Sequence, residues 1–399
     1  MRILYIADSY RPSRSACANR TVVLADALRT AGHDVCVLAS SDSLIAGTDS
    51  HDQPGHVTFF DTFPLKEKTL VNRLKNNFGG RREAMRAADR MGDFDVVVCT
   101  TPPLLLTTAA MKIAKRKAAK LVLDIRDIWP DVAYEMGAFT PNSLYGRFFD
   151  RIAKKGLRQS DLVVSVSPGK VEKLRGRMPQ GCADRVVLVP NGIDEEFLLL
   201  ESDADFVERY GLDGERKTCV YAGNVGLAQG LGTILDIAAV RRDVRFLIFG
   251  EGADKSHLEQ RAASEGLANV EFHGTVGQSA IKAVLENADM SFIPLISSKL
   301  SDSIPTKLYE ALACGCPVLL AAAGDAVTIL NESGLGRAAL PEDRGGLMAA
   351  FDFVIDSEWT SEQRERAKSY ILESHSRQKF AEGFVESVEM LDEGLSVVR

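Results

Sequence analysis

The stretch DSIPTKLYEALACGCPVLL, residues 302–320, reads as a loop, a short helix and a buried strand. An apolar run at 290–296 precedes it, and Pro305 holds φ at a value suited to a first helical turn. Gly315 suits the left-handed position that ends helices, Pro317 cannot continue one, and Val318, Leu319 and Leu320 make an apolar strand. On such a helix Leu308, Ala311 and Leu312 share one face while Thr306, Lys307 and Glu310 share the other. A cation and a carboxylate then stand side by side near a helix N-terminus, where backbone N–H groups favour an anion. A nucleotide diphosphate fits that pattern. So does a surface Lys–Glu pair three residues apart, and the surroundings have to decide between them.

Working outward, the same strand–helix alternation fills the second half. Strands are expected near 217–222, 243–249, 269–272, 289–294 and 317–321, with helices near 230–240, 254–265, 277–286 and 305–314. Glycine turns follow two of these strands: Gly223, Gly226 and Gly230 after TCVYAGN, and Gly250, Glu251 and Gly252 after FLIF. Each GxG fragment is weak alone, but two in one domain beside the 302–320 unit reinforce one another. The first half repeats the alternation, with strands near 2–7, 34–39, 94–99, 120–125, 161–166 and 185–189. The fold class is therefore α/β, with two doubly wound domains: 1–190, 191–375 after the linker PNGIDEEF, and a helical tail at 376–399 that could cross back to the first domain. Ligands of such sheets bind beyond the carboxyl ends of the strands, so a cleft between two facing domains is the expected site.

A chain of 399 residues, 45% hydrophobic and 26% charged, suits two globular domains. Its net charge of −7 divides unevenly: residues 1–200 hold 29 Lys/Arg against 23 Asp/Glu, and residues 201–399 hold 19 against 32. Opposite signs suggest different partners for the halves. Seven cysteines without a CxxC pair read as reduced thiols of a cytoplasmic protein. MRILYIADSY reads as a first strand, not a signal peptide, and no apolar run is long enough for a membrane span. P-loop, HExxH and dinucleotide GxGxxG patterns do not occur. The DxD pairs Asp93/Asp95 and Asp203/Asp205 lie away from the expected cleft, so no metal and no cofactor is expected.

Two stretches of the first half hold candidate polar residues. After the first strand, Arg11, Arg14 and Arg20 gather beside a helix N-terminus, either as a phosphate site or as solvated loop cations. After the fourth expected strand comes RDIWPD, where Arg126, Asp127, Trp129 and Asp131 could hold a sugar; an Arg126–Asp127 ion pair with a core Trp129 is the competing reading. Eight basic against three acidic residues at 66–90, and five more basic residues at 112–120, suit either an anionic membrane surface or a solvated face.

PTKLYEALACGCPV, together with NGID at 191–194, YAGNVGLAQGL at 221–231, FGEG at 249–252 and NVEFHGTV at 269–276, resembles the retaining family-4 glycosyltransferases of the GT-B fold over essentially the whole chain. RDIWPD at 126–131 with P-T-K-x-x-E looks most like a subgroup of bacterial surface-polysaccharide enzymes that includes fucosaminyl transferases. The resemblance implies that Glu310 holds the ribose of a nucleotide diphosphate sugar and that Lys307 lies near its phosphates. Gly223, Asn224, Gln229, Gly250, Glu251 and Thr306 would complete the donor site, and Arg126 and Asp127 would face the transferred sugar. Arg14, Arg20 and Trp129 fall to the phosphate or acceptor side. Asp302 takes the first position of an E-x7-E motif, one methylene short, while Asn224 and Gln229 replace the family's Arg and Lys.

The implied activity is metal-independent transfer of a sugar, an N-acetylated hexosamine or deoxyhexosamine from a UDP donor, to a lipid-linked saccharide acceptor in surface polysaccharide synthesis. The enzyme would sit in the cytoplasm, peripheral at the inner face of the plasma membrane, with no nucleic acid partner. The rival readings are a sugar nucleotide epimerase on the same fold and a non-catalytic nucleotide-sugar-binding subunit.

Overall fold

The computed structural model describes residues 1–13, 15–44, 54–62, 70–135, 137–212 and 214–392. The chain divides into two compact units, Met1–Asn191 with Gln378–Arg399, and Gly192–Arg377.

The first unit runs β1 (Arg2–Ala7), α1 (Ala16–Thr30), β2 (Asp34–Ser40), β3 (Val57–Phe60), α2 (Leu70–Arg90), β4 (Val96–Thr101), α3 (Leu104–Lys117), β5 (Lys120–Ile125), α4 (Asp131–Glu135), α5 (Leu144–Gln159), β6 (Leu162–Ser165), α6 (Pro168–Arg175) and β7 (Val186–Leu188). Its seven strands are ordered β3-β2-β1-β4-β5-β6-β7. All pairings are parallel, with Ile3 of β1 opposite Val35 on one side and Val96 on the other. The strands are near-continuous apolar runs because helices cover both faces. Ser15 and Ser143 cap α1 and α5 through their side-chain oxygens.

The second unit runs α7 (Glu195–Leu199), α8 (Ala204–Tyr210), β8 (Thr218–Ala222), α9 (Gly232–Val240), β9 (Arg245–Phe249), α10 (Lys255–Ser264), β10 (Val270–His273), α11 (Gln278–Asn287), β11 (Met290–Pro294), α12 (Thr306–Ala313), β12 (Val318–Ala321), α13 (Asp325–Ser333), β13 (Gly336–Ala339), α14 (Arg344–Asp356) and α15 (Ser361–Ser374). Its six parallel strands are ordered β10-β9-β8-β11-β12-β13. In each unit the order reverses beside the first strand, which opens a crevice at the strand ends. The final helix, α16 (Arg377–Glu389), buries Ala381, Phe384 and Val388 in the same cluster as Ile3, Tyr5 and Val22 of the first unit.

Two edge strands, β3 and β13, have no counterpart among the expected strands. GRAA of β13 lacks the branched and aromatic residues that mark strands, and β3 has only four residues. Strand β4 lies two residues later than expected, ending at Thr101. The DxD residues do structural work: Asp95 accepts a bond from the Arg2 N–H at 2.6 Å, and Asp203 caps α8 through Phe206 N–H at 3.0 Å.

Candidate functional site

In the second unit the site begins with a close contact between two turns. Gly223 N–H donates to Phe249 C=O at 2.9 Å and Val225 N–H to Glu251 C=O at 2.9 Å, so the β8–β9 ladder continues past the strand ends. The approach is so tight that a Cβ on Gly250, whose φ is +143°, would lie 1.9 Å from Gly223 O. That is why glycine stands there. The alternation leaves Asn224 between the two bonded residues, and Asn224 lines a cavity of about 370 Å³ with Gly223, Gly250, Glu251, Thr275, Val276 and Glu310.

Helix α12 supplies the charged groups. Leu308, Ala311 and Leu312 are fully buried as their spacing predicts, and Gly315 takes φ +70° just past the helix end. Pro305 is the N-cap and gives no side-chain cap to the first turn. Lys307 crosses beneath the β8 turn: its Nζ donates to Tyr221 Oη at 2.7 Å and lies 4.0 Å from the ring centroid, a cation–π contact. Tyr221 Oη in turn donates to Asn224 C=O at 2.6 Å. A Cβ on Gly223 would sit 2.9 Å from that ammonium, so the glycine makes room for the lysine. Burial lowers the Lys307 ammonium to about 8, with Glu310 opposing. Burial likewise raises the Glu310 carboxyl, against the pull of Arg377 and Lys307 and with a smaller push from Asp194. Arg377 is itself held by Asp194 at 2.9 Å, which gives the NGID segment a place behind Glu310.

Of the expected donor residues, Gly223, Asn224, Gly250, Glu251 and Glu310 therefore line one cavity, and Lys307 abuts it. Thr306 opens α12, Asp302 lies half-buried in the turn before it, and Gln229 accepts from the Asn224 side chain at 3.3 Å; none of the three lines the cavity. Glu251 also accepts from Lys255 at 2.6 Å. Three residues escaped the sequence reading: Tyr221, Thr275 and Val276. The first follows from no charge pattern, since its role is to seat Lys307; the other two lie just past β10, where strand ends gather ligands.

In the first unit, Arg20 corrects its expectation. It is 5% exposed on α1, bonded to Asp124 at 2.8 Å and to Val189 C=O at 2.9 Å, with Tyr5 Oη adding a bond to Asp124 at 3.4 Å. A guanidinium so enclosed ties β5 to the end of β7 and is not open to a phosphate. Arg14 lies outside the described residues. Arg126 donates to Thr100 Oγ1 at 3.0 Å and Pro102 C=O at 2.8 Å, so the supposed Arg126–Asp127 pair does not form. Asp127, Trp129 and Asp131 line a second cavity of about 490 Å³ with Thr101, Leu104 and Arg177. Trp129 also packs edge-on to Phe149 at 5.9 Å, joining core and cavity roles.

Comparison with known proteins agrees with this architecture. Residues 15–192 match the family described as a glycosyl transferase 4-like domain, and residues 203–373 match glycosyl transferases group 1. The chain is 24% identical to "Putative colanic acid biosynthesis glycosyl transferase WcaI" of Escherichia coli K12, over 83% of this chain and 85% of that protein. It is also 24% identical to a phosphatidyl-myo-inositol mannosyltransferase of Mycolicibacterium smegmatis, over 84% and 80%. Among solved structures, sucrose-phosphate synthase from Thermosynechococcus elongatus superposes with a TM-score of 0.80 at 16% identity, covering 99% of this chain and 100% of that one. Anabaena Alr3699/HepE in complex with UDP-glucose gives 0.72 at 16% identity, covering 98% and 100%. The two Rossmann-like domains are those of the GT-B fold.

Proposed function

We propose that this chain, which belongs to the glycosyltransferases built of a 4-like and a group 1 domain, transfers a sugar from a UDP-linked donor to a lipid-linked saccharide in surface polysaccharide synthesis. The observation that carries the donor half is the convergence of Glu310, Lys307 and the two glycine turns on one cavity. Glu310 accepts from the ribose hydroxyls. The diphosphate lies across the Gly223 turn toward the first turn of α12, where uncapped N–H groups and Lys307 meet its charge. Where two cations would be usual, Asn224 contributes a dipole and Gln229 only holds the Asn224 side chain, which makes Lys307 the principal cation of the site. With the charge met this way, transfer proceeds without a divalent metal.

Departure of UDP leaves an oxocarbenium-like carbon that fixed dipoles stabilise. Attack on the face the diphosphate leaves, with a phosphate oxygen taking the acceptor proton, gives retention at the anomeric carbon. The acceptor belongs at the 490 Å³ cavity, where Asp127 accepts from sugar hydroxyls and Trp129 covers an apolar ring face. The donor sugar is an N-acetylated hexosamine or its deoxy form, as in the fucosaminyl-transferase subgroup; a colanic acid enzyme and a lipid mannosyltransferase among the relatives fit a polysaccharide product and a lipid acceptor.

The test incubates purified protein and labelled UDP sugars with and without a membrane lipid extract. Label passing into lipid, with the anomer retained and unchanged by EDTA, is the expected result. Conversion of the UDP sugar without acceptor would replace transfer by epimerisation. Tight UDP binding with no turnover of any donor would make the protein a nucleotide-sugar-binding subunit.

A further inference from the structure

The described residues place the exposed aromatic surface of the first unit somewhere its charge runs do not. Helix α5, LYGRFFDRIAKKGLRQ, buries Gly146, Phe149, Gly156 and Leu157, keeps Asp150, Ile152 and Ala153 half-buried and exposes the rest. Leu144 is 85% exposed, Tyr145 45% and Phe148 39%, and Phe78 of α2, 46% exposed, stands 6.4 Å from the Phe148 ring. Four large apolar side chains thus share one open patch. At helical spacing Arg147, Arg151, Lys155 and Arg158 fall on the same side as Leu144 and Phe148, with Lys154 beside them. None of the five has an ion-pair partner among the described residues, and Asp150 is the helix's one acid.

The two stretches first marked as basic behave otherwise. Residues 66–69 lie outside the described residues. Arg86 pairs with Glu83 at 2.7 Å, Arg116 with Asp89 at 3.2 Å, and Lys117 with Asp93 at 3.5 Å. Their charge is partly spent inside the molecule, whereas that of α5 is not.

We infer that α5, with Phe78, is the face by which the first unit seats on an anionic lipid bilayer. The helix would lie in the plane of the interface, with Leu144, Tyr145 and Phe148 entering the headgroup layer and the Arg and Lys stems reaching up to phosphates. No helix among the described residues is long and apolar enough to cross a membrane, so contact is peripheral on this account. A second copy of the chain is the weaker occupant: apposing two such faces brings five unpaired cations against five more, which repel, whereas an anionic surface complements them. The inference deepens the reading of a lipid-linked acceptor, and its test needs neither donor nor acceptor.

The experiment is flotation of the full chain with vesicles of phosphatidylcholine alone or with phosphatidylglycerol added. Wild type should float with the anionic vesicles, and less as salt rises. Leu144→Glu with Phe148→Glu should abolish flotation. Arg151→Gln and Lys155→Gln should each weaken it about fivefold, while every variant keeps the first unit's cooperative unfolding transition, followed by tryptophan fluorescence at Trp129, at the wild-type temperature, which certifies the fold of the unit that carries α5. Failure of wild type to float, or flotation indifferent to these changes, overturns the inference. So does light scattering that finds a wild-type dimer converted to monomer by the Leu144 and Phe148 changes.

Discussion

At the scale of single residues the account turns on Lys307, Glu310 and Arg20. With the Lys307 ammonium lowered to about 8, half of it is neutral near that pH in the free protein. A bound diphosphate favours the charged form and raises its pKa, so binding takes up a proton above about 8. UDP affinity should fall toward about tenfold per pH unit above 8; calorimetry in two buffers of different ionisation enthalpy reads the proton directly. For folding, a base whose pKa is depressed in the folded state costs stability when charged, so this group's contribution improves as pH rises from about 8 toward its ordinary value. Glu310→Ala should weaken UDP roughly tenfold to a hundredfold, the loss of charge-assisted hydrogen bonds. Arg20→Ala should do the reverse. Leaving Asp124 buried without its partner should destabilise the first unit by about 3 kcal/mol or more, with UDP affinity intact in calorimetry; a loss of affinity without a loss of stability would return Arg20 to the phosphate.

At the scale of elements, the turns after β8 and β9 are the most demanding parts of the site. Gly250→Ala adds a Cβ 1.9 Å from Gly223 O at a φ of +143°, so the two turns must part. We expect a loss of about 2 kcal/mol or more and failure of UDP to raise the melting temperature. Helix α12 was legible in the sequence because three independent signals agreed on it: Pro305 before it, Gly315 after it, and an apolar face at Leu308, Ala311 and Leu312. The neighbouring turns were legible only as glycines. Nothing local to residues 221–226 says that Tyr221 carries Lys307, because that contact spans 86 positions of chain. The burial of Arg20 and the exposed face of α5 were not legible for a different reason. A loop arginine and a buried one look alike until strand ends close around them, and the α5 cations are scattered among aromatics rather than set in a run.

At the scale of the whole molecule, the division into units crosses the chain order, since Gln378–Arg399 belongs with the first unit. Phe384 and Val388 are fully buried there, and His33 bonds to Glu389 at 3.0 Å. A chain ending at Arg377 should therefore lose the first unit's cooperative unfolding transition, followed by tryptophan fluorescence at Trp129, while the Gly192–Arg377 unit still binds UDP. The central claim is that this second unit holds the nucleotide between its glycine turns and α12. Hydrogen exchange on the full chain, with and without saturating UDP, tests it most directly. Protection should rise at residues 223–226, 250–254 and 305–310; unchanged exchange in those three segments under saturating UDP would contradict it.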